Sequence, residues 1–210
     1  MSYIEHFGVK VFKKPSGLKL NRKNYLDRII FSDKSFEKAM LNNPSKIADM
    51  KKRILYNYDV NIEYFHSLSK SKFNSELESF LSKNPNFKEI TDLNSVDRKS
   101  GYYIMVLDEY AQIYIGTTAV DIKKRFQNHW AIQMHIDRMI FGDKEDSILS
   151  IKSFRALDTT RIFVDVTSVS FEHENKFIKE FDDKYILNRT VGGKLDGLGE
   201  AIINRKTREF

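Results

Sequence analysis

A glutamate stands where a helical pattern predicts an apolar side chain. Residues 170–181 have the periodicity of an amphipathic helix, and Glu174 lies within its hydrophobic stripe. The stripe consists of Phe171, Phe177, Ile178 and Phe181. A carboxylate on the buried face of a helix is costly unless it pairs with a cation or binds a metal ion. The pattern alone leaves both interpretations open, an ion pair with an arginine or a ligand for a metal.

Two further polar residues, Arg125 and His129, lie four positions apart in a segment with helical periodicity. Residues with this spacing project from the same face of a helix. The apolar residues that predict its buried stripe are Ile122, Phe126 and Trp130. The planar guanidinium of an arginine can bind two oxygens of a phosphate at once. The alternatives are a surface ion pair of Arg125 with Asp121 and a purely structural role for His129.

Two predicted strands precede this helix, and each carries a tyrosine. The strands cover residues 102–107 and 112–116. If the turn between them has four residues, Tyr103 faces Gly116, and Tyr103 and Tyr114 share one face of the hairpin. Gly116 then leaves room for another group to approach closely. A turn one residue longer or shorter would place the two tyrosines on opposite faces.

These residues resemble the signature of the GIY-YIG nuclease family. Residues 101–103 read Gly-Tyr-Tyr, residues 114–116 read Tyr-Ile-Gly, and ten residues separate the two triplets. Tyr102 occupies a position at which the family usually has isoleucine, and this change keeps a large β-forming residue in the strand. Arg125 and His129 follow on the next helix. Two triplets at this spacing, followed by the arginine, are much more specific than either triplet alone.

The resemblance implies that six residues form an active site. They are Tyr103, Tyr114, Arg125, His129, Glu174 and Asn188. In the family a glutamate in the later helix binds the metal, and an asparagine follows it near the next turn. Glu174 and Asn188 match this arrangement, although the proline that often precedes the asparagine is missing. Arg125 would contact the scissile phosphate, and Asn188 would hold the site in shape. Tyr103 would orient or deprotonate the attacking water, assisted by Tyr114 or His129.

The resemblance also implies a fold and an activity. The expected fold is α+β, a small three-stranded antiparallel sheet flanked by helices. The expected activity is endonucleolytic hydrolysis of phosphodiester bonds in double-stranded DNA, with Mg²⁺ or Mn²⁺ held by Glu174. Roles in restriction, defence or mobile-element spread, and a homodimer that cuts both strands, are compatible with it. The alternatives are an RNA-directed nuclease, a nucleic-acid-binding module with a degenerate nuclease site, and a structural protein in which the pattern is coincidental.

Positive charge is concentrated near the start of the 210-residue chain, which has a formal net charge of +6. Residues 1–58 contain 13 Lys and Arg against 5 Asp and Glu, whereas residues 99–210 contain 17 of each. Such a basic segment is either a solvated surface or a region that attracts phosphates. The absence of cysteine excludes disulfides and thiolate zinc sites. No apolar run reaches the roughly 20 residues of a membrane span and no signal peptide is recognisable, so a cytoplasmic protein is expected.

The sequence predicts two regions. Residues 1–86 form a basic, mostly helical region that would bind nucleic acid, and residues 87–210 form the nuclease-like domain. The turn-forming residues at 83–86 mark the boundary. A strand is predicted at 3–13, and helices are predicted at 45–55, 61–69 and 75–82.

The second region contains, besides the hairpin and its helix, a strand at 161–167 and the helix at 170–181. An extended segment at 137–141 and a short helix at 150–157 are also predicted. The helix after the hairpin is expected to begin at Thr118. Residues 131–160 form an insertion with three candidate phosphate contacts, which are Arg138, Lys152 and Arg155.

Overall fold

The fold is described from a computed structural model of the chain. The structure describes residues 2–14, 17–27, 29–30, 43–131, 134–135 and 148–188. The extended segment predicted at 137–141, Arg138 and the basic C-terminal tail lie outside these ranges. Within them, no helix has both the length and the apolar character that a bilayer crossing requires.

Helices and strands both contribute to the fold, as predicted. In chain order the strands are β1 Tyr3–His6, β2 Val9–Phe12, β3 Ile29–Ile30, β4 Lys88–Ile90, β5 Gly101–Leu107, β6 Gln112–Thr118, β7 Met134–His135 and β8 Arg161–Asp165. The α-helices are α1 Arg22–Asp27, α2 Pro44–Ser67, α3 Lys70–Lys83, α4 Ile122–Ala131 and α5 Phe171–Lys179. Short 3₁₀ helices cover Leu93–Val96, Asp108–Tyr110, Ile151–Ser153, Ala156–Asp158 and Asp183–Tyr185.

The central sheet has four strands in the order β4-β8-β5-β6, and each neighbouring pair is antiparallel. The prediction of three strands was therefore wrong by one edge strand. β4 has only three residues, and none of them is fully buried. Three residues are too few to show the alternation of polar and apolar side chains that reveals a strand. β1 and β2 form a separate antiparallel hairpin, and β3 pairs with β7 in parallel.

The β5–β6 hairpin has the register that a four-residue turn predicts. The 3₁₀ helix Asp108–Tyr110 and Ala111, which has a left-handed φ of 49°, connect the two strands. Tyr103 then pairs with Gly116. Since side chains alternate between the two faces along a strand, Tyr103 and Tyr114 lie on the same face of the sheet. This prediction is confirmed.

Both faces of the sheet are covered. On the face that carries Tyr103, the core is completed by α4, α2 and the β1–β2 hairpin. On the opposite face, α3 and α5 pack against Tyr102 and its neighbours. The stripe of α4 predicted from the sequence, Ile122, Phe126 and Trp130, is buried. Residues from both sides of position 86 thus share the same two buried clusters, and the division into separate domains stays a prediction.

Two N-terminal elements differ from the prediction. The strand expected at 3–13 is the β1–β2 hairpin, because Phe7 and Gly8 have positive φ values of 47° and 71° and reverse the chain. The helices expected at 45–55 and 61–69 form the single helix α2. No glycine or proline separates the two segments, so the helix continues through them.

Helix boundaries near the hairpin also differ. α4 begins at Ile122 and not at Thr118, because Thr118 is the last residue of β6 and Asp121 caps the helix. The Asp121 carboxylate accepts a hydrogen bond from the Lys124 N–H at 3.0 Å. Residues 150–157 form two short 3₁₀ helices in place of one α-helix. The strand predicted at 161–167 and the helix predicted at 170–181 are present as the slightly shorter β8 and α5.

One buried carboxylate connects the N-terminal region to the sheet. Asp158 is 1% exposed and accepts hydrogen bonds from the N–H groups of Leu20 and Arg155, at 2.9 and 2.7 Å, and from the Tyr110 hydroxyl at 3.0 Å. Burial raises the pKa of this carboxyl to about 7, and the bonds from Leu20 and Tyr110 oppose the rise. The segment after β2, the turn after β5 and the loop before β8 therefore meet at one side chain.

Replacing Asp158 with alanine should lower the free energy of unfolding by about 3 kcal/mol or more, because three buried donors lose their acceptor. Urea denaturation followed by circular dichroism measures this loss. Leu157→Ala is the matched control, since its side chain lies in the same turn and is 38% exposed. The control should cost less than about 1 kcal/mol. Equal stability of the two variants would contradict the anchoring role of Asp158.

Candidate active site

Three polar side chains form a hydrogen-bonded chain on the face of the sheet that α4 covers. Nε of Arg125 donates to the hydroxyl oxygen of Tyr103 at 3.2 Å, and this oxygen lies 2.8 Å from Nε2 of His129. The four-residue spacing on α4 allows Arg125 and His129 to reach the same tyrosine. Within the described ranges Arg125 forms no ion pair. Asp121, the partner that the sequence suggested as an alternative, caps the start of α4.

His129 is neutral in this arrangement. Burial lowers the pKa of its imidazole to about 3, and the positive charges of Arg125 and Lys152 act in the same direction. A neutral imidazole accepts a hydrogen bond at one of its two nitrogens. Because Arg125 already donates to the phenol oxygen, we assign the hydroxyl proton of Tyr103 to the bond with Nε2. Donation therefore runs from the guanidinium to the phenol and from the phenol to the imidazole.

Gly116 makes room for Tyr103. Tyr103 is fully buried, and a Cβ atom at position 116 would lie 2.3 Å from its hydroxyl oxygen. The half-buried Tyr114 lies beside it, with its ring centroid 6.3 Å from that of Tyr103 and 5.2 Å from that of His129. Burial raises the pKa of both tyrosines, and Arg125 opposes the rise. Both phenols are therefore protonated at neutral pH.

Glu174 lies on the buried side of α5, as its place in the apolar stripe predicts. Its side chain is 5% exposed, and among the described residues its Oε2 atom has no hydrogen-bond partner. Burial raises the pKa of the carboxyl to about 7, and the guanidinium of Arg125 opposes this rise. The sequence left open a close ion pair with an arginine, and the described residues contain none. Glu174 is thus a buried acceptor that the described part of the chain leaves unsatisfied.

Arg125 and Glu174 belong to helices that cover opposite faces of the sheet. α5 packs beside β6, the edge strand that carries Gly116. The two side chains nevertheless share one electrostatic environment. Arg125 lowers the pKa of Glu174, and the carboxylate raises the pKa of Tyr103 and Tyr114. The charges of Arg125 and Glu174 therefore act on each other and on both phenols, although the two residues belong to helices on opposite faces of the sheet.

Asn188 forms hydrogen bonds with the edge strand β6. Its Oδ1 accepts a hydrogen bond from the N–H of Ile115 at 3.0 Å, and its Nδ2 donates to the carbonyl of the same residue at 2.7 Å. The N–H of Leu187 also donates to the carbonyl of Ile113 at 2.8 Å. The segment after the last 3₁₀ helix is therefore attached to the outer side of β6, next to Gly116.

Tyr102 has a positioning role that the sequence pattern did not indicate. Its hydroxyl accepts a hydrogen bond from the N–H of Ser170 at 2.7 Å and donates to the carbonyl of Ser170 at 3.1 Å. Ser170 is the N-cap of α5, and its Oγ accepts from the N–H of His173 at 3.3 Å. Tyr102 therefore fixes the start of the helix that carries Glu174. The available sequence signal was its difference from the isoleucine of the nuclease pattern that the sequence resembles.

Glu174 is the site residue that could hold a metal ion. Within the described ranges, no group of three or more His, Asp or Glu side chains is arranged to bind one. Mg²⁺ is often held by one or two carboxylates, with waters and substrate phosphate oxygens as its other ligands. A buried carboxylate oxygen without a protein partner fits this mode of binding.

The basic residues of the 131–160 insertion do not all belong to this site. Lys152 is close enough to His129 to lower its pKa. Arg155 lies beside the β1–β2 hairpin, where it lines a separate cavity. Arg138, the third candidate, lies outside the described residues.

Comparison of the chain with protein-family models, curated proteins and solved structures finds no match. The functional assignment of the site therefore depends on its geometry and on the sequence resemblance.

The titration of Glu174 makes a prediction about stability. Because burial raises its pKa, the folded protein favours the protonated form, and the contribution of Glu174 to stability is lost as the pH rises from about 4.5 to 7. Glu174→Gln removes this titration. The variant should be more stable than the wild type by about 1–3 kcal/mol at pH 8, and nearly equal to it at pH 4.5.

Urea denaturation of both proteins at the two pH values measures the difference. Glu172→Gln is the matched control, because Glu172 is an exposed glutamate on the same helix. This control should change the free energy of unfolding by less than about 0.5 kcal/mol at either pH. A Glu174→Gln variant that is less stable than the wild type at pH 8 would show that the carboxylate has a stabilising partner.

Proposed function

We propose that this chain is an endonuclease of the GIY-YIG type, which hydrolyses phosphodiester bonds in double-stranded DNA with the help of a divalent cation. The observation that carries the proposal is the buried carboxylate of Glu174, which has no hydrogen-bond partner in the described protein and whose charge interacts with Arg125. A cation would satisfy the carboxylate, and a phosphodiester would satisfy the guanidinium. Both groups are supplied by a nuclease reaction and not by a purely structural role.

Arg125 contacts the scissile phosphate in this proposal. Its side chain is partly exposed, and the bond from Nε to Tyr103 fixes the orientation of the guanidinium. A planar fork of N–H donors can bind two phosphate oxygens, and it stabilises the negative charge that develops in the transition state. Tyr103 would therefore orient the guanidinium of Arg125 as well as the attacking water.

Tyr103 orients the water that attacks phosphorus. Its oxygen accepts from Arg125 and its proton is donated to His129, and because Tyr103 is fully buried, its remaining lone pair would become accessible to water only if the neighbouring side chain of Tyr114 moved aside. As the water oxygen bonds to phosphorus, its proton passes to Tyr103 while the Tyr103 proton passes to Nε2 of His129. The bond from phosphorus to the 3′ oxygen breaks, that oxygen takes a proton from solvent, and the imidazolium of His129, which burial makes strongly acidic, releases its proton to solvent. No free phenolate forms, in agreement with the raised pKa of Tyr103.

Glu174 would be the protein ligand of the cation, Mg²⁺ or Mn²⁺, which when bound neutralises negative charge at the phosphate. Two residues keep this carboxylate and the sheet edge in place. Tyr102 holds the N-cap of α5, and Asn188 holds β6. The ring of Tyr114 packs against the imidazole of His129, which would accept the proton.

The basic N-terminal region provides the electrostatic attraction for the duplex in this proposal. The excess of 13 Lys and Arg over 5 Asp and Glu in residues 1–58 lies outside the segment that carries the six site residues. Binding to phosphates along the duplex would therefore be separate from the cleavage chemistry. A cytoplasmic protein, and a homodimer that cuts both strands, belong to the same proposal.

Nicking of a supercoiled plasmid tests the assignment. Arg125→Ala and Glu174→Gln should each lower the rate about a hundredfold or more, because each removes charge stabilisation at the phosphate. Arg125→Lys keeps the charge but lacks the planar fork, so it should not restore the rate. Asn128→Ala, an exposed position on the same helix as Arg125, should cut like the wild type. Wild-type rates for both Arg125→Ala and Glu174→Gln would refute the site.

Metal removal separates the proposal from its alternatives. Treatment with EDTA should abolish nicking, and Mg²⁺ or Mn²⁺ should restore it, because Glu174 would otherwise face the phosphate as an uncompensated negative charge. Retention of DNA without cleavage in either metal would favour a binding module with a degenerate site. Cleavage of RNA and not of DNA would identify an RNA-directed nuclease.

A further inference from the structure

A cavity of about 260 Å³ lies between the β1–β2 hairpin and the outer side of α4. Its walls are largely apolar and include Val9, Val11, Leu18 and Trp130. Three basic residues, Lys10, Lys14 and Arg155, also line it. An apolar hollow with cationic residues on its lining suits a ligand that has one flat apolar part and one anionic part.

Arg155 is the unusual member of this lining. Its side chain is 3% exposed, and Nη2 donates to the carbonyl of Asn24, but Nε has no partner among the described residues. Within the same ranges the guanidinium forms no ion pair. The nearby carboxylate of Asp158 accepts the backbone N–H of Arg155 and not its side chain. A buried cation without a counter-anion is costly, so an anion supplied from outside the protein would be stabilising here.

The hairpin beside the cavity presents aromatic rings to solvent. Tyr3 and Phe12 are direct cross-strand partners, 48% and 57% exposed, and Phe12 also belongs to the cavity lining. The ammonium group of Lys10 lies 4.7 Å from the centre of the Tyr3 ring. Exposed aromatic rings interleaved with lysines form the stacking surfaces that bind nucleobases and their phosphates.

We propose that this cavity binds a single nucleotide, with the base against its apolar walls and the phosphate at Arg155. A cavity of about 260 Å³ has the size of a small-molecule site, and the basic residues Lys10, Lys14 and Arg155 lie on its lining. The ligand is either a free nucleotide or one nucleotide of a strand bound at the neighbouring site. α4 connects the two places, since it carries Trp130 toward the cavity and Arg125 toward the sheet edge.

Titration of the full-length protein with deoxyadenosine 5′-monophosphate tests the inference. Trp130 is the single tryptophan of the chain and lines the cavity, so a ligand bound there should change its fluorescence. We expect a saturable change with the nucleotide, and at least about tenfold weaker binding of deoxyadenosine or inorganic phosphate, each of which supplies half of the ligand. Equilibrium dialysis with labelled nucleotide provides a second measurement.

Two variants test the residues. Arg155→Gln should weaken nucleotide binding about tenfold or more, because a charge-assisted hydrogen bond is lost. Because Arg155 is buried, its replacement can also disturb folding. The second variant therefore changes an exposed residue, Phe12. Phe12→Ala should weaken binding about fivefold or more through the loss of a stacking partner. Lys13→Gln, exposed on the same hairpin but outside the cavity lining, is the control and should bind like the wild type.

The outcomes also distinguish the two sources of the nucleotide. Competition by a short single-stranded oligonucleotide would assign the cavity to a nucleotide of a strand, and nucleotide binding without such competition would assign it to a free nucleotide. Absence of saturable binding by fluorescence and dialysis, equal affinity for inorganic phosphate, or wild-type affinity in both variants would overturn the inference. All titrations contain EDTA and are repeated with Glu174→Gln, so failure of the nuclease proposal and failure of this inference are separate results.

Discussion

The burial of one carboxylate without a hydrogen-bond donor is the constraint on which the candidate site depends. Glu174 is 5% exposed, and its Oε2 atom has no partner among the described residues. Such a group costs free energy in the folded protein, so the surrounding packing must hold it in place. Arg125 reduces this cost through its charge but forms no ion pair with the carboxylate. Among the described residues the carboxylate therefore has neither a hydrogen-bond donor at Oε2 nor a paired cation.

The edge strand β6 is contacted by both of the helices that carry the charged groups, α4 with Arg125 and α5 with Glu174. Arg125 and Glu174 are on helices that pack against opposite faces, and a central strand would separate them. At the edge, Gly116 has no side chain, and Tyr103 occupies the space above it. The edge of a sheet also has unpaired backbone groups. Here the side chain of Asn188 pairs with the N–H and the carbonyl of Ile115, the residue before Gly116. β6, the edge strand that carries Gly116, is thus also the strand that Leu187 and Asn188 stabilise through hydrogen bonds.

Burial also decides the protonation of the site. The low pKa of His129 and the raised pKa of Tyr103 and Tyr114 leave all three groups neutral at pH 7. In the proposed reaction the proton of the attacking water would end on Nε2 of His129, and burial opposes the imidazolium that then forms, so this proton would leave to solvent within the same turnover. The excess of Lys and Arg over Asp and Glu lies in residues 1–58, outside the segment that carries these three groups.

The sequence by itself determined the properties that depend on local periodicity and turn length. It placed Glu174 on a buried helix face, predicted the stripe of α4, and predicted the register that brings Tyr103 and Tyr114 to one face. It did not reveal β4, whose three residues are too few to show a pattern, or the contact of Tyr102 with the N-cap of α5. Periodicity shows which side of an element is buried but not which distant element covers it. The charge interaction of Glu174 with Arg125 and the neutral state of His129 were therefore decided by tertiary packing, because both depend on the arrangement of segments far apart in the chain.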